Sequence, residues 1–253
     1  MIKLSLLKIK EAQTFKLDFF VSLISIFIKT IIIYFLFDVL FRDSSSVNSV
    51  SLTRYTLVAS TISMSYDPMM YVCYELMGKI NSSEIIPYIL KPVNYIVYNY
   101  FEKVGIFLLR FAINITLVII INALFFDYFS ISRLIIGVYV TVMGATILFF
   151  LQFLIGTYIP HVKDVLILRD VIITILFTFG GLIIPVEYLP FNLDIITKCT
   201  MIPYIYSFPA NVISGNPLRA MDFAMQLAWV ILLGVLTYRS YQKNVSHNVE
   251  YGD

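Results

Sequence analysis

The residues of this sequence that could carry out chemistry are few and scattered. The two histidines, His161 and His247, and the two cysteines, Cys73 and Cys199, are too far apart along the chain to indicate a metal cluster or a redox pair. The Gly-Lys pair at 78–79 lacks the upstream glycine and the following hydroxyl residue of a phosphate-binding loop. No HExxH zinc motif and no GxSxG nucleophile elbow occurs. The sequence therefore predicts no catalytic, cofactor or metal site in this chain, and no ATPase of its own.

Two basic residues lie inside long apolar runs. A cation at the centre of a membrane-spanning helix costs about 2.5–3.5 kcal/mol unless it finds a partner or reaches the interface. Lys29 shares a helix face with Ser22 and Ser25, and Arg110 lies one turn before Asn114. These polar stripes predict helix faces turned toward protein or toward a hydrated cavity. Structural pairing, snorkelling and contact with a substrate all remain open.

Composition indicates the kind of element that must hold these residues. Apolar residues make up 59% of the 253 residues and charged residues 13%, against roughly 45–50% and about 25% in soluble proteins. Several apolar runs exceed the roughly 18 residues that mark a bilayer-crossing helix. This composition predicts an integral membrane protein and excludes a soluble enzyme, a nucleic-acid binder and a disulfide-stapled secreted domain.

The apolar runs predict an all-α polytopic protein in which residues 1–253 form a single transmembrane domain. Residues 1–16 mix lysines with large apolar residues, which is typical of a helix lying in the membrane interface. Eleven of the 18 Lys and Arg residues fall on the side that would hold both termini, against five on the other side, so both termini are predicted to be cytoplasmic. The six predicted spans are 17–41, 52–74, 101–126, 133–159, 165–184 and 219–237.

Small residues recur in the fourth run. Gly137, Thr141 and Ala145 follow each other at intervals of four, with Gly144 beside them. This spacing lets helix backbones approach closely. It predicts close packing, either within the subunit or between subunits.

The segment after the second span is predicted to project into the cytoplasm. Asn81 followed by Glu84 resembles a capping box, and Pro87 and Pro92 limit the helix to a short piece at 82–90. Such a helix would suit docking onto a cytoplasmic partner. A solvated loop is an equally good interpretation of these charges.

The segment from 180 to 217 is apolar, yet five prolines and a glycine pair prevent one continuous helix. It is predicted to hold short helices at 191–201 and 209–214, with Pro209 in the first turn and Gly215 closing the second helix in a left-handed conformation. Broken helix at membrane depth persists only where protein or water satisfies its backbone. The sequence therefore predicts a re-entrant or interfacial element on the outer side, with an ordinary outer loop as the alternative.

Four features together resemble the permease subunits of ATP-binding-cassette transporters of the type-2 class. They are the basic N-terminal segment, the stretch IIPYILKPVN at 85–94, the stretch FGGLIIP at 179–185 with YLP at 188–190, and IPY at 202–204 with Pro209-Ala210 and Ser214-Gly215. Their order and spacing agree with the family over nearly the whole chain. Family members often have a glycine where this chain has Ser83.

The resemblance implies an exporter of a hydrophobic or amphipathic compound such as a drug, antibiotic, peptide or lipid-linked compound. It implies a cell-membrane location, a second permease (identical or sister), and separate cytoplasmic subunits that bind ATP and Mg. The segment that touches those ATPases would comprise Ser82, Ser83, Glu84, Ile85, Ile86, Pro87, Tyr88 and Lys91. The outer broken-helix element near the exit gate would be marked by Gly180, Gly181, Pro185, Pro190, Pro203, Pro209 and Gly215.

Two other functions are weighed against this one. In an ion channel or a secondary carrier, Lys29 and Arg110 would line an ion path, and ATP would not be needed. A membrane-embedded enzyme has no catalytic constellation in the sequence to support it.

Overall fold

A computed structural model describes residues 49–89, 94–125, 130–160, 162, 164–183, 185–189 and 197–246. In the first predicted span it describes nine positions between 21 and 39, all of them helical. The predicted interfacial helix at 1–16 lies outside the described residues, as do Lys29, Lys91, Pro190 and most of the predicted helix at 191–201.

The described part of the chain consists of helices and turns, with no β-strand among these residues. Short turns of 3₁₀-helix occupy Val186–Tyr188 and Ile202–Tyr204, and a π-helical turn at Gln242–Ser246 follows the last α-helix. The helices from residue 49 onward are α1 (Ser49–Ser65), α2 (Asp67–Met70), α3 (Val72–Asn81), α4 (Ile86–Ile89), α5 (Tyr95–Phe125), α6 (Ile131–Gly156), α7 (Val165–Phe179), α8 (Ser207–Ser214) and α9 (Ala220–Tyr241).

Three described helical stretches are long and apolar enough to cross a membrane: Tyr95–Ile121, Ile131–Gly156 and Ala220–Val245. At about 1.5 Å per residue each reaches roughly 40 Å, more than the roughly 30 Å hydrocarbon core of a bilayer. They correspond to the predicted spans at 101–126, 133–159 and 219–237. The prediction of an all-helical protein is confirmed for the described residues, together with three helices that have the length and composition to cross a membrane.

The predicted span at 52–74 is divided among α1, α2 and α3. Pro68 lies in the first turn of α2, where its missing N–H costs nothing. The Tyr66 N–H closes α1 on the Ile62 carbonyl, while the Tyr66 carbonyl accepts from Met69 and Met70 at 2.8 and 3.2 Å. The chain therefore turns at Tyr66 and again at Tyr71. The predicted span at 165–184 holds the shorter helix α7, which ends at Gly180.

Helix α6 is the centre of the packing. In its most apolar stretch 56% of the residues are buried, against 17% in α9. Glycines of α6 let neighbouring segments approach closely, since a Cβ at Gly144 would lie 2.5 Å from the Tyr66 hydroxyl oxygen and one at Gly156 would lie 2.8 Å from Leu76. The prediction of close packing is confirmed within one chain.

The long helices connect two differently built ends. At one end, here called the cavity end, the N-terminal parts of α1 and α9 border a cavity together with residues from 185–188 and 198–217. At the other end, here called the turn end, Tyr95 at the start of α5 meets Phe153 of α6 and Tyr241 of α9, with ring centroids 6.0 and 6.2 Å apart. Residues 82–89 lie at the turn end.

Candidate functional site

Residues 82–89, here called the 82–89 turn, begin as the C-terminal cap of α3. The Ser82 N–H donates to the Gly78 carbonyl at 2.9 Å, and the Ile85 N–H donates to the Lys79 carbonyl at 3.1 Å. Asn81 is the last residue of α3, so the predicted capping box is wrong: the following helix, α4, begins at Ile86. The residues after Asn81 form the C-terminal cap of α3 and not the start of a new helix, because the helix of the second predicted span continues to Asn81.

Ser83 adopts a left-handed backbone conformation, with φ of 59°. This conformation costs an L-residue about 1–2 kcal/mol, whereas glycine adopts it freely. We expect Ser83→Gly to raise the free energy of unfolding by about 1 kcal/mol and Ser83→Val to lower it. Thermal unfolding of the purified variants in detergent measures this, and a lower midpoint for Ser83→Gly would contradict the assigned turn geometry.

Two side chains of the 82–89 turn hold it to the helices. Ile85 is buried, and the Tyr88 ring lies 5.2 Å from the Tyr95 ring. The Lys79 ammonium lies over the Tyr88 and Tyr95 rings at 5.4 and 5.3 Å. Burial lowers the pKa of Lys79, but Tyr95 and the nearby Glu102 carboxylate more than offset this, so the net pKa is raised and the cation persists.

Five other residues of the 82–89 turn are exposed. Ile86 is 39% exposed, although it is a large apolar residue. The other exposed members are Ser82, Ser83, Glu84 and Pro87. The turn therefore exposes the Glu84 carboxylate together with the apolar residues Ile86 and Pro87, while Ile85 and Tyr88 hold it to the helices. An exposed charge and apolar surface on a fixed turn are suited to docking of another protein.

At the cavity end, the glycines and the described prolines of 180–215 take positions at helix ends and turns. Gly181 and Gly215 have φ of 79° and 89°. Gly215 caps α8, as predicted, with the Asn216 N–H donating to the Asn211 carbonyl at 3.0 Å. Pro209 lies in the first turn of α8, which begins at Ser207. Pro185 and Pro203 lie at the 3₁₀ turns.

Carbonyl groups of this broken element are bonded by side chains of α1, of the turn at Tyr66 and of α9. The Tyr66 hydroxyl lies 3.0 Å from the Ile205 carbonyl oxygen and 2.9 Å from that of Thr141. Gln226 Nε2 donates to the carbonyls of Tyr204 and Val140 at 3.0 and 2.9 Å. The Tyr55 hydroxyl donates to the Gly181 carbonyl. These bonds satisfy backbone that could not otherwise persist in an apolar setting.

The cavity bordered by this element has a volume of about 320 Å³. Its wall combines aromatic side chains with two carboxylates and two cations. The charged members are Glu187, Asp222, Lys198 and Arg219; the others are Ser51, Leu52, Tyr55, Pro185, Val186, Tyr188, Pro203, Tyr204, Ser207, Phe208, Asn211, Asn216 and Pro217.

The predicted polar stripe of the third span packs against the Tyr66 turn. Arg110 forms an ion pair with Asp67, and Asn114 Nδ2 donates to Ser65 Oγ at 3.1 Å. Asn114 is 5% exposed, so its part of the stripe faces protein, as predicted. The Arg110 and Asp67 side chains remain 41% and 44% exposed.

Several polar side chains at these sites were not identified from the sequence. Arg169, which lies inside the predicted span at 165–184, is buried; it donates to Gln152 Oε1 at 3.2 Å and to the Met70 carbonyl at 2.8 Å. Lys103 is likewise buried and paired with Glu75. The sequence signal for such a residue is an amide or a cation inside an apolar run. Gln226 carries this signal as clearly as Asn114 does.

The described part of the chain is all-helical, and three of its helices are long and apolar enough to cross a membrane. Within the described residues there is no group of three or more His, Cys, Asp and Glu side chains placed to hold a metal ion. The chain shows no match to any protein-family model or to any curated protein.

Proposed function

We propose that this chain is the membrane-spanning permease subunit of an ATP-binding-cassette exporter of the type-2 class. In this proposal six spans cross the membrane, both termini are cytoplasmic, and two permeases, identical or sister, form a dimer. Separate ATPase subunits bind ATP and Mg and dock on the 82–89 turn. The exported compound is hydrophobic or amphipathic.

The observation that carries the proposal is the presence of two differently built ends on the same helices. At the turn end, an exposed carboxylate and an apolar patch project from a base held by Ile85 and Tyr88. At the cavity end, a broken-helix element is bonded to α1 and α9 through Tyr55 and Gln226. A displacement of the turn would therefore reach the cavity end through rigid helices.

The Tyr88 contacts suggest how such a displacement would spread. Tyr88 packs on Tyr95, and Tyr95 packs on Phe153 and Tyr241, so the turn contacts the ends of α5, α6 and α9 through one aromatic cluster. A chain without its own ATPase moves only through a partner whose nucleotide states differ in their contacts with it. The aromatic cluster would pass that difference to three helices together.

Reversing the charge of the exposed turn tests this proposal. We expect Glu84→Lys to reduce ATP-driven transport at least tenfold while membrane insertion and thermal stability stay unchanged, because Glu84 is exposed and its replacement removes only a docking contact. Transport per ATP hydrolysed, measured in proteoliposomes with the partner ATPase, gives the result.

Asp164→Lys is the matched control, because Asp164 is also exposed and lies at the start of α7 at the same end. Wild-type transport by Glu84→Lys, or equal loss in both variants, would contradict docking at the 82–89 turn.

One observation favours the alternative of an ion channel or secondary carrier. Arg110 lies in the middle of the apolar helix Tyr95–Ile121 and forms a partly exposed ion pair with Asp67 of α2. Such pairs inside a membrane often mark ion pathways. A channel or carrier predicts flux that follows an ion gradient without ATP and is lost in Arg110→Leu. The proposed exporter predicts no such flux in either form.

A further inference from the structure

The Arg110–Asp67 ion pair places two charges on the surface of the chain, far from either end of an apolar helix. Within the stretch Tyr95–Ile121, roughly 22 Å of helix precedes Arg110 and roughly 16 Å follows it. Asp67 lies in α2, which packs against this helix. Where the stretch crosses a membrane, both charges lie well inside the hydrocarbon core, and a charge that faces lipid there is costly.

The ion pair is bonded less completely than the polar residues next to it. Asn114, one turn after Arg110, donates to Ser65 Oγ at 3.1 Å, and both residues are buried. Among the described residues Arg110 donates one hydrogen bond, to Asp67 Oδ2, although a guanidinium carries five N–H groups. With side chains 41% and 44% exposed, Arg110 and Asp67 keep donors and acceptors that this part of the chain does not bond.

A second copy of this chain carries the complementary charges at the same depth. In a twofold dimer whose axis is normal to the membrane, each residue lies at the same depth in both copies, and the same surface meets itself. Arg110 and Asp67 touch, so they share a depth, and they belong to two neighbouring helices, α5 and α2. A twofold rotation can therefore place the cation of each copy opposite the carboxylate of the other.

The surface beside the ion pair is suited to contact with protein. Tyr71, one turn after Asp67, is 51% exposed, and arginine and tyrosine are enriched where proteins meet. On α5, Leu108 and Ala112 are exposed next to Arg110 in the sequence. Only 33% of the most apolar part of this helix is buried within the chain, so a partner has room to pack against it.

We propose that the Arg110–Asp67 pair and Tyr71 form a contact between two copies of this chain, in which each Arg110 also bonds Asp67 of the second copy. This contact rests on the dimer of the proposed function and names its surface. Two guanidiniums and two carboxylates then bond one another, and lipid is excluded from all four charges. The competing use of the same pair is an ion path, in which water and not a second copy covers it.

Co-expression of two charge-reversed chains tests the contact. Arg110→Asp gives a chain with two carboxylates at this surface, and Asp67→Arg gives a chain with two guanidiniums, so neither can form the pair within itself. We expect differently tagged copies of these two variants to co-purify in mild detergent about fivefold or more above two copies of either variant, because opposite charges meet only in the mixed dimer. Equal recovery of mixed and like pairs would overturn the proposal.

A cysteine crosslink leaves both charges in place, so it also tests the contact if charge reversal prevents folding. In a Cys199→Ser chain, whose remaining Cys73 is buried, Tyr71→Cys should give a covalent dimer with a short bifunctional thiol reagent in native membranes. Ile231→Cys is the matched control, because Ile231 is 59% exposed on α9, which packs against α6. Equal crosslinking at the two positions, or none at Tyr71→Cys, would contradict the contact.

Both measurements omit ATP and the partner ATPase, so they separate this contact from the exporter proposal. Copies that associate without the mixed-pair preference and without the Tyr71→Cys crosslink would overturn the contact and leave the exporter proposal standing. A chain that shows both effects but purifies without any ATP-binding subunit would support the contact and contradict the exporter.

Discussion

Gly144→Val is expected to abolish accumulation of folded protein. A Cβ at Gly144 would lie 2.5 Å from the Tyr66 hydroxyl oxygen and 3.0 and 3.1 Å from the carbonyl oxygens of Ile205 and Tyr204. Tyr66 is fully buried between the Phe107 and Tyr206 rings, whose centroids lie 5.7 and 5.6 Å from its own. No neighbour can retreat, so valine would separate α6 from the broken element and break the hydrogen bonds to both carbonyls.

The cost combines overpacking, about 1–3 kcal/mol, with buried carbonyls left unbonded at about 1–3 kcal/mol each. Such a sum approaches the whole stability of many proteins. Gly78→Val is the matched control, since Gly78 is also helical but a Cβ added there would meet nothing within 4 Å. Size-exclusion profiles of detergent extracts measure the folded fraction. A normal monodisperse peak for Gly144→Val would show that α6 and the broken element are not in contact.

Arg169→Met is expected to lower the free energy of unfolding by about 3 kcal/mol or more. The guanidinium donates to Gln152 and to the Met70 carbonyl and lies 4.3 Å from the centroid of the Tyr74 ring. A hydrogen bond to a charged group contributes about 1.5–3 kcal/mol. Gln152 is fully buried, and its amide nitrogen already has no hydrogen-bond partner among the described residues. Loss of the Arg169 bond to Oε1 would therefore leave this buried amide without compensation.

Arg169→Lys should recover less than half of this loss, because an ammonium does not reproduce the planar set of donors that reaches several acceptors. Arg239→Met, at an exposed arginine of α9, should leave the unfolding midpoint within a degree or two of wild type. Equal midpoints for Arg169→Met and Arg239→Met would show that the Arg169 contacts do not stabilise α7 against α2, α3 and α6.

Much of the backbone organisation followed from residue types alone. The prolines and glycines at 180–217 predicted broken helix, and Gly215 takes the left-handed cap that was expected of it. The long apolar runs predicted α5, α6 and α9, because period and length are local properties of a sequence. The turn at Tyr66 was not predicted, since a proline in the first turn of a new helix and one inside a continuous helix look alike in sequence.

The polar contacts were less predictable, because they join residues far apart in the chain. Tyr66 and Ile205 are separated by 139 positions, and Gln226 reaches carbonyls on two other segments. Lys103 and Arg169 lie inside the predicted spans at 101–126 and 165–184, and the sequence predicted no partner for either, yet both are buried against partners. The position of a residue relative to an apolar run indicates how deep it lies in the membrane. It does not indicate which residue of a neighbouring helix it contacts.

The central claim is that this chain is a passive transmembrane subunit moved by an ATPase in trans. The most direct measurement purifies the tagged chain from its native membrane in mild detergent, identifies its bound subunits, and measures ATP hydrolysis and solute flux after reconstitution. The proposal predicts a bound ATP-binding subunit whose hydrolysis rate depends on this chain, with flux only when ATP is supplied. A chain that purifies alone and supports gradient-driven flux without ATP would contradict it.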